Sequence, residues 1–178
     1  IITGSCQPNI PKTLYAELIT RINNQGGKAI IDCHGDMLKH AISAQPFLIK
    51  PNRYELETLL QAELPTVEAI AHTARQIQQT GVNNVCVSLG SAGALITDAN
   101  NSYYAPALNV AINTTVGAGD SMVAGMVAGF QIDNSAPTAL TYGIACGAGT
   151  IMHPGTELFS ADELIKFRQR VKIEVLDI

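Results

Sequence analysis

The chain has 178 residues, 47% of them hydrophobic and 15% charged, with a formal net charge of -4. These figures suit one domain, or part of a larger one, with enough apolar residues for a sizeable core, and they exclude a disordered chain. The acidic balance argues against nonspecific nucleic-acid binding, which leaves a basic footprint, but it leaves room for anionic ligands held by backbone amides or a metal.

Strand and helix signals then alternate along the chain. Ile1 to Thr3 reads as strand. PKTLYAELITRINNQGG opens with Pro11, closes with Gly26-Gly27 and puts Leu14, Leu18, Ile19 and Ile22 on one face, which are helix start and stop signals. KAIIDC reads as a buried strand, DMLKHAIS as a short helix and PFLIKP as another strand. RYELETLL begins a helix, and TVEAIAHTARQIQQTG is a second, ending at Gly81. VNNVCVSLG is a strand and GSAG a turn, while GALITDA and SYYAPAL form an antiparallel pair. Two helical segments follow, roughly Gly119 to Gln131 and Pro137 to Met152. SADEL opens a last helix with a capping box of Ser160 and Glu163, and KIEVL is a closing strand. Strands separated by helices imply βα units, a mainly parallel sheet and helices on both faces, an α/β fold.

The four cysteines, Cys6, Cys33, Cys86 and Cys146, are far apart and form no CxxC, so metal-ligand spacing is absent. With this much apolar core a disulfide framework is not expected, and the reading is a reducing, cytoplasmic setting. The apolar runs are too short to span a bilayer, and no signal-peptide pattern is visible. The chain starts without Met inside a strand, so the expectation is that an N-terminal portion is missing.

TTVGAGDSMVAG, Thr114 to Gly125, is the most informative stretch. A dinucleotide fingerprint fails here: Met122 stands where Gly or Ala is needed, INTT is a poor strand, and Ala136 to Ala139 supply no ribose-binding acid. No Walker-type P-loop occurs anywhere. Two readings of the stretch stay open. Thr114 or Thr115 caps a helix that Gly117 and Gly119 let the chain enter, with Asp120 placed only to suit the helix dipole. Alternatively, the amides of Gly117 to Gly119 face an anion and Asp120 takes a proton.

Two other turns follow strands. KPNRYE carries Lys50, Asn52 and Glu55 at a strand's carboxyl end, where open α/β sheets bind ligands. Asn52 and Glu55 equally form a capping box, whereas Lys50 beside Pro51 is harder to explain by packing. SLGSAG, Ser88 to Gly93, reads locally as a hairpin turn. Three polar turns, each after a strand, suit a shared crevice.

GSCQPN, KPNRYEL, VSLGSAGAL and TTVGAGDSMVAG, in that order, resemble the ribokinase-like (pfkB-type) carbohydrate kinases, and VGAGDSMVAG with KPNRYEL resembles their phosphosugar branch. The resemblance implies a ribokinase-like α/β fold, with residues 1–178 forming the C-terminal part of one kinase domain. It implies ATP-dependent phosphoryl transfer to a phosphosugar, with fructose 1-phosphate as the expected acceptor and tagatose 6-phosphate or fructose 6-phosphate as alternatives. Asp120 would be the base, and the amides of Gly117, Ala118 and Gly119 the anion hole. Lys50 and Asn52 would approach the ATP phosphates, and Glu55 would hold Mg²⁺ through water. Ser88, Leu89, Gly90, Ser91, Ala92 and Gly93 would line the nucleotide site, and Ser5 would sit near the sugar phosphate. Backbone oxygens of Thr114, Val116 and Gly155 would hold a monovalent cation, K⁺. The implied partners are phosphosugar and ATP, with no nucleic acid or membrane and a homodimer of the full-length protein.

The chain also departs from the family pattern. Its first turn reads Gly4-Ser5-Cys6-Gln7-Pro8-Asn9 where the family has GS-x-P-P-G, and Asn9 can replace the glycine in a left-handed turn. His34 stands where this branch tends to have Ser and reads as a surface or helix-cap residue, and His153 reads as structural. The family's N-terminal sugar-binding motif and β lid are absent from these residues, so the fragment alone is expected to have little activity. A truncated, non-catalytic nucleotide-binding module is the alternative of another class, and the intact Asp120 and both glycines speak against it.

Overall fold

The computed structural model describes residues 1–7, 9–155 and 157–178. Seven strands, taken among the described residues, form one sheet in chain order, β1 to β7. By contacts the chain divides into two compact units, one of Ile1–Ser88, Ile96–Ser102 and Leu176–Ile178, the other of Leu89–Leu95 and Tyr103–Val175.

In the first unit β1 (Ile2–Thr3), β2 (Ile30–Asp32), β3 (Leu48–Ile49) and β4 (Asn84–Ser88) run parallel. Parallel neighbours need crossovers, and helices supply them: α1 (Leu14–Asn24), α2 (Gly35–Ser43), α3 (Arg53–Leu60) and α4 (Val67–Gln79). Ile31, Leu48, Ile49 and Val85 are fully buried along the strands, and Ile19, Leu38 and Leu56 are fully buried on the helices. That burial explains the near-continuous apolar strands, since both faces of such a sheet are covered. The elements keep their expected order, with shifted ends. PFLIKP yields a strand of two residues, Leu48–Ile49. The first helix begins at Leu14 rather than Pro11, after a turn closed by the Leu14 amide on the Pro11 carbonyl at 3.0 Å. Four residues, 98–101, join β5 (Ala94–Thr97) to β6 (Ser102–Ala105), a link that only antiparallel neighbours allow. Thr97 and Ser102 share a buried hydroxyl hydrogen bond of 2.7 Å beside that link.

The second unit is built on α5 (Ala118–Asp133) and α6 (Ala136–Met152), followed by α7 (Ala161–Arg168) and β7 (Glu174–Leu176). Small residues let α5 and α6 approach closely. A Cβ on Gly125 would lie 2.5 Å from the Tyr142 carbonyl oxygen, so only glycine fits at that crossing. Met122, Met126 and Leu140 fill the space around it. Ser135 starts α6 by accepting from the Thr138 amide at 3.3 Å. The predicted capping box of α7 is present: Ser160 accepts from the Glu163 amide, and the Glu163 carboxylate accepts from the Ser160 amide at 2.7 Å.

Candidate active site

Register brings the carboxyl ends of the four parallel strands together. Thr3 pairs with Asp32, Ile31 with Ile49, and Ile49 with Val85. The ladder continues past the strand ends, with the Gly4 amide donating to the Asp32 carbonyl, Lys50 to Ile31 and Ser88 to Pro51, at 3.0 to 3.1 Å. A parallel bridge joins Asn52 to Ser88. The structure therefore sets the turns at Ser5, Lys50–Asn52 and Ser88 at the carboxyl ends of neighbouring parallel strands, the edge where open α/β sheets bind ligands.

Lys50 is 5% exposed, and its Nζ lies 3.1 Å from Oδ2 of Asp32. A buried ammonium needs such a partner, because desolvation otherwise disfavours its charge. Asp32 is the residue that sequence reading missed. The signal was available: IIDC and LIKP each end an apolar strand on a charge, and the charges are opposite. Cys33 and Cys86 lie beside the pair. Burial pushes both thiols up to about 12, and the negative charges of Asp32 and Glu55 push Cys33 further in that direction. A thiol raised by burial is a poor nucleophile.

Asn52 and Glu55 form the complete capping box of α3. The Glu55 amide donates to Asn52 Oδ1, and the Asn52 amide donates to Glu55 Oε2, both at 2.8 Å. Magnesium keeps several waters and takes one or two carboxylates. Among the described residues no three His, Cys, Asp or Glu side chains gather as a cage. Glu55 presents one carboxylate with one oxygen already engaged, a donor set that fits a hydrated ion arriving with phosphate oxygens.

Ser5 lines an open pocket of about 270 Å³ with Cys6, Lys12, His34 and Asp36. Gly4 enters this turn at φ +89°, while Pro8, inside the predicted GSCQPN turn, lies outside the described residues. Lys12 and Asp36 pair at the pocket, and the ammonium holds the Asp36 carboxyl below its usual range. Cys6 Sγ donates to the Tyr15 hydroxyl at 3.2 Å. That hydrogen bond, and then burial, raise Tyr15 to about 12. His34 is exposed at the N-cap position of α2 and makes no side-chain cap bond.

In the second unit, residues 89–93 form a self-bonded turn containing a short 3₁₀ segment, Gly90–Ala92. The Leu89 amide donates to the Gly93 carbonyl at 2.8 Å, and Tyr104 Oη donates to the Ala92 carbonyl at 2.6 Å. The start of α5 differs from its predicted form. Neither Thr114 nor Thr115 caps the helix. Gly117 is the N-cap, in the left-handed region at φ +78°, and no side chain caps it. Thr114 Oγ1 instead accepts from the Val116 amide at 3.2 Å, which closes the preceding turn. A side chain cannot supply a left-handed N-cap at low cost, so glycine starts the helix. The first intrahelical bond runs from the Ser121 amide to the Gly117 carbonyl at 2.9 Å. The amides of Ala118, Gly119 and Asp120 precede it, as the first amides of any helix do. Ala118 reaches the Thr115 carbonyl at 3.5 Å, and the Gly119 and Asp120 residues are exposed. The turn thus offers amide dipoles and a carboxylate on one exposed helix start, where negative charge is favoured.

Of the carbonyls expected to hold a cation, those of Thr114 and Val116 belong to this turn and that of Gly155 lies beyond α6, all in the same unit. The Asn113 and Thr114 amides both donate to the Ile151 carbonyl, at 2.8 and 3.3 Å, which fastens the turn to the end of α6. Gly155 follows α6 in the left-handed region at φ +61°. His153 is the C-cap residue of α6, and its Nε2 lies 3.1 Å from Glu163 Oε1. The two Ser160 hydrogen bonds, and then His153, hold the Glu163 carboxyl down at about 2.

Comparison with known proteins shows the family. Residues 1–163 match the family described as pfkB family carbohydrate kinase. The chain is 32% identical to 1-phosphofructokinase of Borreliella burgdorferi over 155 residues, covering 85% of this chain and 50% of the relative. It is 33% identical to ATP-dependent 6-phosphofructokinase isozyme 2 of Escherichia coli over 168 residues, covering 93% of this chain and 54% of the relative. The crystal structure of Escherichia coli phosphofructokinase-2 with potassium superposes with a TM-score of 0.88 at 32% identity, covering 95% of this chain and 56% of that one. The chain therefore spans about half the length of the curated relatives it matches. Motifs, parallel α/β architecture and these similarities agree: the chain belongs to the pfkB family of carbohydrate kinases.

Proposed function

We propose that the native protein transfers the γ-phosphoryl group of ATP to fructose 1-phosphate, giving fructose 1,6-bisphosphate. The observation that carries this reading is the start of α5, a left-handed Gly117 followed by three early amides and an exposed Asp120. Asp120 accepts the proton of the acceptor hydroxyl, while the amides of Gly117, Ala118 and Gly119 stabilise charge on the transferred group. Phosphoryl transfer asks for positioning and charge stabilisation rather than covalent chemistry, which suits these parts. Asn52 and residues 88–93 hold the nucleotide, and Lys50 approaches its phosphates. Ser5, in its pocket with Lys12, receives the sugar phosphate. Glu55 would hold Mg²⁺ through water, which would supply charge neutralisation at the phosphates, and the carbonyls of Thr114, Val116 and Gly155 would hold K⁺.

Asp120→Asn in the full native protein tests the base. The expected result is a kcat lower by about 10²- to 10⁴-fold with KM for ATP little changed. Near-normal turnover would refute the assignment. A second acceptor, fructose 6-phosphate, is favoured by the similarity to the relative named 6-phosphofructokinase isozyme 2. Turnover on a panel of phosphosugars separates the two, and higher kcat/KM on a 6-phosphate would overturn the first choice. Tight binding of ATP with Mg²⁺ and no turnover on any phosphosugar would point to a nucleotide-binding module instead.

A further inference from the structure

Helical Ser and Thr hydroxyls usually bond back to the carbonyl one turn earlier in their own helix. Several in this chain do so: Thr20 donates to Ala16 at 2.8 Å, Thr141 to Pro137 at 2.8 Å and Ser43 to Lys39 at 3.4 Å. Thr150 does not. It is 5% exposed in the last turns of α6, and its Oγ1 donates across to Ser121 Oγ on α5, at 2.6 Å. Ser121 directly follows Asp120, and its amide makes the first intrahelical bond of α5. The same end of α6 holds the other side of the turn through the Ile151 carbonyl, which accepts from the Asn113 and Thr114 amides. A Cβ added to Gly117 would lie 3.7 Å from Thr150 Cγ2, so the Thr150 methyl also borders the glycine turn.

We propose that Thr150 and Ser121 are a positioning pair that sets the aim of the first turn of α5, and with it Asp120 and the amides before it. The pair touches no reacting atom. Thr150 fixes Ser121, Ser121 fixes the helix start, and the helix start fixes the base. This role rests on the reading of Asp120 as catalytic base. A shift of about 1 Å in a reacting group costs about 100-fold in rate, so a loosened turn registers in kcat before it registers in binding.

The test uses the full native protein with Thr150→Val, Thr150→Ser and Ser121→Ala. Val keeps the shape and removes the donor, whereas Ser keeps the donor. Thr150→Val and Ser121→Ala are expected to lower kcat at least about tenfold with KM for ATP within about twofold, and Thr150→Ser to stay near wild type. The double variant Thr150→Val/Ser121→Ala is expected to lose no more than the worse single one, because both remove one bond. Hydrogen exchange of the Ser121 amide, the first one of α5 with an intrahelical bond, gives a readout independent of turnover, expected about tenfold faster in Thr150→Val and unchanged in Thr150→Ser. Unchanged exchange in Thr150→Val overturns the proposal, as does equal loss in Thr150→Ser. A wild-type protein that turns over no phosphosugar defeats the kinase reading, while exchange still decides whether the pair holds the turn. Thr150→Val that fails to fold leaves Ser121→Ala, at a half-buried position, to decide the matter.

Discussion

Replacing Asp32 with Asn tests the electrostatics of the sheet edge most directly. Lys50 Nζ and Asp32 Oδ2 are 3.1 Å apart, and the lysine side chain is 6% exposed against 18% for the aspartate. At an effective dielectric of about 20 their attraction is about 5 kcal/mol, which offsets the cost of taking the ammonium out of water. Asn has nearly the same shape and removes only the charge. The substitution leaves a buried cation without its partner, for which the expected loss is about 3 kcal/mol, the low end of the range for a broken buried pair, since water still reaches Asp32. Urea unfolding followed by far-UV circular dichroism measures it. With a slope of about 1–3 kcal/mol per molar, the midpoint should fall by about 1–3 M. The double variant Asp32→Asn/Lys50→Met removes the stranded charge and should recover to within about 1 kcal/mol of wild type. A single variant losing under about 1 kcal/mol, or a double variant no better than the single, refutes the pairing argument.

Gly93 and Gly90 make a contrast within one turn. Gly93 sits at φ +100° and ψ -136°, and an added Cβ would lie 2.0 Å from the Ala105 carbonyl oxygen and 2.7 Å from the Ala107 amide nitrogen. Strain and overpacking at about 1–3 kcal/mol each put Gly93→Ala at about 3 kcal/mol or more. Gly90, at φ +60° with open space around it, should cost about 1 kcal/mol as Ala. Comparable thermal midpoints for the two variants would contradict the clash. Glu163 supplies a pH test. Its folded-state carboxyl is lowered from 4.5 to about 2, so its stabilising effect is complete above about 4.5 and lost as pH falls through about 2. Wild type should exceed Glu163→Gln in unfolding free energy at neutral pH, and the gap should close in acid. A gap independent of pH would remove the carboxylate from the explanation.

Element order was legible in the sequence because periodicity, caps and turn residues are local. The capping boxes at Asn52–Glu55 and Ser160–Glu163 need only a few consecutive residues, and both stand as read. The α5 start was half legible. Two glycines and an acid announced a turn at a helix N-terminus, but Thr114 and Thr115 resembled caps, and only backbone geometry placed the cap at Gly117. Asp32 went unread as a partner because its value depends on register: Thr3 opposite Asp32 and Ile31 opposite Ile49 set Asp32 beside Lys50, residues apart in sequence. Thr150 was unread for a related reason. A threonine inside an apolar helix looks like any other, and its choice of Ser121 over its own helix follows from how α5 and α6 cross. Local sequence determined the elements, the two capping boxes and the family motifs. The tertiary structure decided which charge neutralises which and which hydroxyl holds which turn, because desolvation and hydrogen-bond geometry act between atoms that only packing brings together.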